Sequence, residues 1–143
     1  MRLTRYTDNA LRCLTMLALH PGEAATVADI SRRMRMSEDH VFKVVQGLAA
    51  GGYVTTQRGR SGGVTLARAA ESIRVGAVVR HTEENFRLVE CFDPETNDCP
   101  ITKACELAGA LDRALKAFLA VLDEVTLADL VERPRRIERL LSA

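Results

Sequence analysis

The glycine pair Gly51-Gly52 limits the fold of this 143-residue chain more than any other feature, because the pattern of apolar residues changes across it. Before it, apolar residues recur every three or four positions. After it, short β-branched runs take over. The spacing predicts an amphipathic helix from Asp8 to Leu19, ended by His20-Pro21-Gly22. Thr26 stands three residues before Asp29, as in a capping box, and opens a second helix to about Arg35. Ser37 is a strong N-cap for a third helix. Its apolar positions Val41, Val44, Val45 and Leu48 must face a core. Gly51-Gly52 stop that helix. Tyr53 to Thr56 then reads as a strand and Val64 to Leu66 as its partner. The basic, glycine-rich stretch Arg58-Gly-Arg-Ser-Gly-Gly63 forms the tip between them.

Helices followed by such a hairpin give the order of a winged helix-turn-helix, whose second motif helix enters the major groove of DNA. The recognition helix is then Ser37 to about Ala50. Its solvent face carries Glu38, Asp39, His40, Lys43 and Gln46. His40 and Lys43 can reach base edges or the backbone, and Glu38 or Asp39 can accept from a cytosine amino group. Ser37 can cap its helix or touch a phosphate. In the wing, Arg58, Arg60 and Ser61 suit phosphates or the minor groove, and Gly62 lets the backbone approach the duplex. Charge agrees: residues 1–68 carry ten Arg or Lys against five Asp or Glu, and residues 69–143 carry ten against fourteen. A basic front half is what phosphate binding needs. The competing readings are a winged helix used for protein contacts and a merely solvated helix face.

Ser72 can cap a fourth helix, Val75 to about His81. Pro94 and Pro100 keep the next stretch irregular. A long helix is expected from Ile101 or Thr102 to Asp123. Its apolar positions Leu107, Leu111, Ala114, Phe118, Val121 and Leu122 suit helix–helix pairing. Thr126 caps a short helix, Leu127 to Val131, and Pro134 restarts the tail. The expected fold class is mainly α with a small β-hairpin wing. Residues 1–68 form the DNA-binding region, and residues 69–143 form the cysteine loop and the long C-terminal helix, in one continuous domain. No apolar run approaches the roughly 18 residues of a membrane span, and the N-terminus lacks a signal peptide's apolar stretch. A cytoplasmic protein without membrane contact is expected.

The chain has four cysteines. Cys13 lies on the apolar face of the first helix and reads as a small buried hydrophobe. Cys91, Cys99 and Cys105 crowd an acidic loop with the spacing C-x7-C-x5-C. Thiolates bind soft metals and iron–sulfur clusters. The C-x2-C knuckles usual for zinc are absent, and a disulfide switch would leave one thiol over. Three thiols leave a fourth position for a carboxylate, a histidine or a small molecule, which suits a labile sensing centre. No nucleophile–base pair or nucleotide loop is present, so catalysis is not expected.

The chain resembles the winged-helix transcriptional regulators that carry iron–sulfur clusters, over nearly its whole length. The resemblance rests on Met1-Arg-Leu-Thr-Arg-Tyr-Thr-Asp-Asn-Ala-Leu-Arg12, on Arg58-Gly-Arg-Ser-Gly-Gly-Val64 and on Leu88-Val-Glu-Cys-Phe92. It continues through Cys99-Pro-Ile-Thr-Lys-Ala-Cys-Glu-Leu107 and Ala117-Phe-Leu-Ala-Val-Leu-Asp-Glu-Val-Thr-Leu-Ala-Asp-Leu130. These last two stretches are similar to the nitric-oxide-sensitive branch. The resemblance implies a homodimer paired through the long helix and a palindromic double-stranded operator. It implies one 4Fe-4S or 2Fe-2S cluster per subunit on Cys91, Cys99 and Cys105. It also implies repression that nitric oxide relieves. Asp8, supplied by the partner subunit, is the candidate fourth ligand; helix capping is its alternative role. The first inter-cysteine gap is longer than in several members. Ala108 stands where one branch has a histidine, which excludes a histidine ligand there. An iron- or redox-sensing regulator of the same family and a structural zinc protein are the alternatives.

Overall fold

The computed structural model describes residues 2–57, 59 and 62–141. Its helices are α1 (Arg5–Leu19), α2 (Val27–Met34), α3 (Glu38–Ala50), α4 (Val75–Thr82), α5 (Glu106–Glu124) and α6 (Pro134–Leu141). Strands β1 (Val54–Gln57) and β2 (Gly63–Leu66) pair antiparallel, with Val54 opposite Leu66 and Gln57 opposite Gly63. The architecture is mainly helical with a two-stranded wing, as the residue pattern indicates. No described helix is long and apolar enough to cross a membrane.

α1 starts at Arg5, earlier than its apolar spacing indicates. Thr4 is the N-cap, and its Oγ1 accepts from the Thr7 N–H at 3.2 Å. The first turn is polar, so hydrophobic period alone misses it. Asp8 therefore sits within α1 and is not its cap. Thr4 is itself held by Glu83, which accepts from the Thr4 N–H at 2.7 Å. The capping box of α2 forms as expected. The Asp29 N–H bonds Thr26 Oγ1 at 3.0 Å, and the Thr26 hydroxyl returns a bond to the Asp29 carboxylate at 2.6 Å.

α1 runs through the core. Ala10, Cys13, Leu14 and Leu17 meet Ile30 and Met34 of α2, Val41, Val44, Val45 and Leu48 of α3, and Val54 and Val64 of the hairpin. Each fully buried aliphatic side chain stabilises the fold by about 2 kcal/mol. Cys13 is fully buried, and burial pushes its thiol up to about 12. It stays neutral and packs as a small hydrophobe.

The C-terminal half returns to this core through a short strand-like contact. The Val75 N–H bonds the Val125 carbonyl at 2.9 Å, and the Leu127 N–H bonds the Ile73 carbonyl at 2.8 Å. Leu127 is 1% exposed and belongs to the same core cluster. This contact also sets where α4 begins. Ser72 is not its cap; its hydroxyl donates to the Ala69 carbonyl at 2.7 Å inside a separate 3₁₀ turn, and Arg74 holds the N-cap position. α5 starts at Glu106, because Thr102–Ala104 forms its own 3₁₀ turn and Cys105 is extended (φ −85°, ψ 104°). None of the residues of α5 is buried within the chain. Leu107 and Val121 are 63% and 60% exposed, which leaves an apolar helix face uncovered.

Candidate nucleic-acid interface and cysteine loop

α3 buries Val41, Val44, Val45 and Leu48 and turns Glu38, Asp39, His40, Lys43 and Gln46 outward. The outward face fits an element that lies in a groove with its back on the core. Ser37 caps the helix, its Oγ accepting from the His40 N–H at 3.4 Å. That bond uses a lone pair on Ser37 and leaves the hydroxyl hydrogen free to donate, so capping and a phosphate contact are compatible. Phe42 also points outward and is 55% exposed. The sequence reading missed it. The signal was available: position 42 falls between the core positions 41 and 44, out of phase with the buried stripe.

The wing is fixed to the body at its base. Ala25 and Val64 exchange backbone hydrogen bonds at 3.0 and 2.8 Å. A Cβ on Gly63 would lie 3.0 Å from the Ala25 carbonyl oxygen, a tight contact that glycine avoids. Gly59 has φ +114°, and its carbonyl accepts from the Gly62 N–H at 2.9 Å, which closes the tip. Arg58, Arg60 and Ser61 lie outside the described residues.

The cysteine loop is braced by polar side chains. Asp93 is buried and paired with Arg87, and it accepts from the Glu95 N–H at 3.2 Å. Glu90 accepts from the Asp98 N–H at 2.7 Å. Asn97 accepts from the Cys99 N–H at 3.1 Å, and the Thr102 hydroxyl donates to the Cys99 carbonyl at 2.8 Å. Cys91, Cys99 and Cys105 are free, half-buried thiols on this frame. Among the described residues, no three His, Cys, Asp or Glu side chains gather closely enough to hold a metal ion. The donor chemistry fits an iron–sulfur cluster, but binding would have to draw the three sulfurs together. Asp8 is exposed on α1 and pairs with Arg12 at 3.7 Å. It lies on a cavity wall with Ser37 and His40, and no cysteine of its own chain lines that cavity.

A continuous set of contacts runs from loop to recognition helix. Cys105 precedes α5 directly. Near the other end of α5, Asp123 takes both guanidinium nitrogens of Arg80 on α4, at 2.5 and 2.7 Å. These bonds hold the Asp123 carboxyl below its ordinary value. The neighbour of Arg80, His81, bonds the Gly47 carbonyl of α3.

Comparison with known proteins agrees with this layout. Residues 3–133 match the family model Rrf2, described as an iron-dependent transcriptional regulator. The HTH-type transcriptional regulator NsrR of Geobacillus kaustophilus is 49% identical over 142 residues, covering 99% of this chain and 97% of that one. The protein of the same name from Bacillus licheniformis is 45% identical over 143 residues, covering 99% of this chain and all of the other. Among solved structures, T. potens IscR superposes with a TM-score of 0.72 at 26% identity, over 92% of this chain and 87% of that one. Oxidised Staphylococcus aureus CymR does so with a TM-score of 0.72 at 25% identity, over 92% and 97%. These relatives are regulators, a class without catalysis, as the residue pattern indicates. The chain belongs to the Rrf2 family of iron-dependent transcriptional regulators.

Proposed function

We propose that this regulator is a cytoplasmic, homodimeric repressor that holds a palindromic operator until nitric oxide reaches an iron–sulfur cluster. Cys91, Cys99 and Cys105 would hold one 4Fe-4S or 2Fe-2S cluster per subunit, with Asp8 of the partner subunit as the fourth ligand. The observation that carries this reading is the group of three free thiols on one braced loop, with the last thiol opening the helix that leads back to α3. The cluster, when bound, supplies iron that nitric oxide attacks.

The protein's own residues do the rest. Asn97, Asp93 and Glu90 hold the loop backbone between the cysteines by accepting from the Cys99, Glu95 and Asp98 N–H groups. The open apolar face of α5 pairs with the same face of a second chain. Two recognition helices then lie about one DNA turn apart, as a palindrome requires. Ser37, His40 and Lys43 contact the duplex, with Glu38 accepting from a cytosine and Phe42 packing on a thymine methyl. Arg58, Arg60, Ser61 and Gly62 bring the wing to the backbone. A loss of about 3 kcal/mol on release would cut affinity more than a hundredfold.

The test is anaerobic purification, with iron analysis, visible absorption and operator binding during nitric oxide titration. Affinity should fall as the absorption is lost, and Cys99→Ala should lack both. Colourless, iron-free protein that binds at full strength would end the proposal. The family's description as iron-dependent favours one second reading, in which iron supply is the signal. Release by an iron chelator, with nitric oxide inert, would select it.

A further inference from the structure

Three arginines, two from α1 and one from the turn after α2, line one cavity where the recognition helix begins. Arg5 and Arg12 of α1 and Arg35 of the α2–α3 turn line one polar cavity of about 310 Å³, with Asp8, Ser37 and His40. Their commitments differ. Arg12 is occupied: one guanidinium nitrogen donates to the Met34 carbonyl, and another pairs with Asp8 at 3.7 Å. Asp8 thus offsets Arg12 through Oδ2 alone, which leaves Oδ1 for the ligand role above. The side chains of Arg5 and Arg35 have no hydrogen-bond or ion-pair partner among the described residues. Two uncompensated positive charges therefore face the cavity.

Arg35 carries a second mark. At φ 51° and ψ 50° it is the one non-glycine residue with positive φ among the described residues. It follows the last turn of α2, a position that glycine fills without strain. Its backbone N–H serves the turn by bonding the Arg32 and Ser31 carbonyls, which any residue but proline could do. The turn alone gives no reason for an arginine. A charged side chain aimed at the cavity does.

We propose that this cavity seats one backbone phosphate of the operator, clamped by Arg5 and Arg35, with the Ser37 hydroxyl donating to the same group. The clamp deepens the DNA-binding reading above and rests on it. A contact of this kind fixes where the recognition helix sits along the duplex and carries no sequence information. It should therefore act equally on specific and unrelated DNA.

The full-length protein, Arg35→Gly and Arg5→Ala would be compared on two duplexes, one selected by the wild type from a random-sequence pool and one unrelated. Each substitution should weaken both duplexes by about tenfold. Each should flatten the dependence of log K on log salt by about one unit. The thermal midpoint of Arg35→Gly should be unchanged or raised, since glycine relieves the positive φ. Replacing the phosphates of the selected duplex one by one with neutral methylphosphonate should find a position that weakens the wild type and leaves Arg35→Gly unaffected. Unchanged salt slopes in both variants would overturn the clamp. So would inorganic phosphate raising the wild-type midpoint while Arg35→Gly binds DNA normally, which would mark a free-anion site. A wild type that binds neither duplex would remove the DNA-binding reading itself and the clamp with it.

Discussion

His81 Nε2 lies 2.9 Å from the carbonyl oxygen of Gly47, which joins the end of α4 to the recognition helix. The imidazole also rests against Tyr53, ring centroids 5.4 Å apart, and the Arg68 guanidinium covers that tyrosine at 4.9 Å. Gly51 leaves room for the ring: a Cβ there would come within 2.5 Å of Nε2. His81→Ala should therefore leave the visible absorption of loaded protein intact. It should shrink the difference in operator affinity between loaded and cluster-free forms. Equal differences in variant and wild type would show that this contact does not couple the two sites.

The α4–α5 contact should be intolerant of a methyl group. A Cβ on Gly76 would lie 2.0 Å from Asp123 Oδ1 and 2.9 Å from the Asp123 backbone nitrogen. Gly76→Ala is expected to cost about 1–3 kcal/mol in urea denaturation. Removing the carboxylate as well, with Asp123→Ala, should recover only part of that loss, since the backbone conflict stays. Wild-type stability in Gly76→Ala would contradict the packing described.

α5 should be needed for pairing more than for folding the body. Leu107→Glu together with Val121→Glu places charge on its open face. The expected product is a monomer by sedimentation that keeps its helical circular dichroism and loses affinity for a palindromic duplex. A variant that stays dimeric would place the interface elsewhere.

Phe42 gives a reading of one base feature. Phe42→Ala should cost about 1 kcal/mol, roughly fivefold, on a selected duplex. Replacing thymine by uracil, position by position, should reproduce that loss in the wild type at one site and cost Phe42→Ala nothing there. If every uracil substitution affects both proteins equally, the side chain does not meet a thymine methyl.

Acid should weaken the fold at defined hydrogen bonds. Asp123 is held below its ordinary value of 3.8 by Arg80, Asp29 by the Thr26 side chain and Asp129 by the Thr126 backbone. A carboxyl with a lower pKa in the folded state contributes stability above its unfolded pKa and loses it as pH falls through the folded value. The urea midpoint should hold from neutral pH to about 4 and then drop. Asp123→Asn should start lower and fall less. An equal acid drop in both would assign the effect to other groups.

Short-range chemistry made much of this protein readable from its residues. The Thr26–Asp29 box, the Ser37 cap, the Gly51-Gly52 stop and the paired β-branched runs each act within a few positions, and the structure contains all of them. The helix starts at Arg5 and Glu106 depart from the apolar pattern for a related reason. Apolar period marks a buried stripe, and these helix ends are governed by a polar cap and by a competing 3₁₀ turn.

The sequence by itself determined the winged-helix order, the placement of three thiols on one acidic loop and the outward face of α3. Tertiary structure alone decided that Arg5 and Arg35 share a cavity with Ser37, that His81 reaches Gly47, and that α5 keeps its apolar face uncovered. Caps and periods depend on neighbours along the chain. Convergence of side chains from different helices depends on crossing geometry, which is set by how the whole core packs.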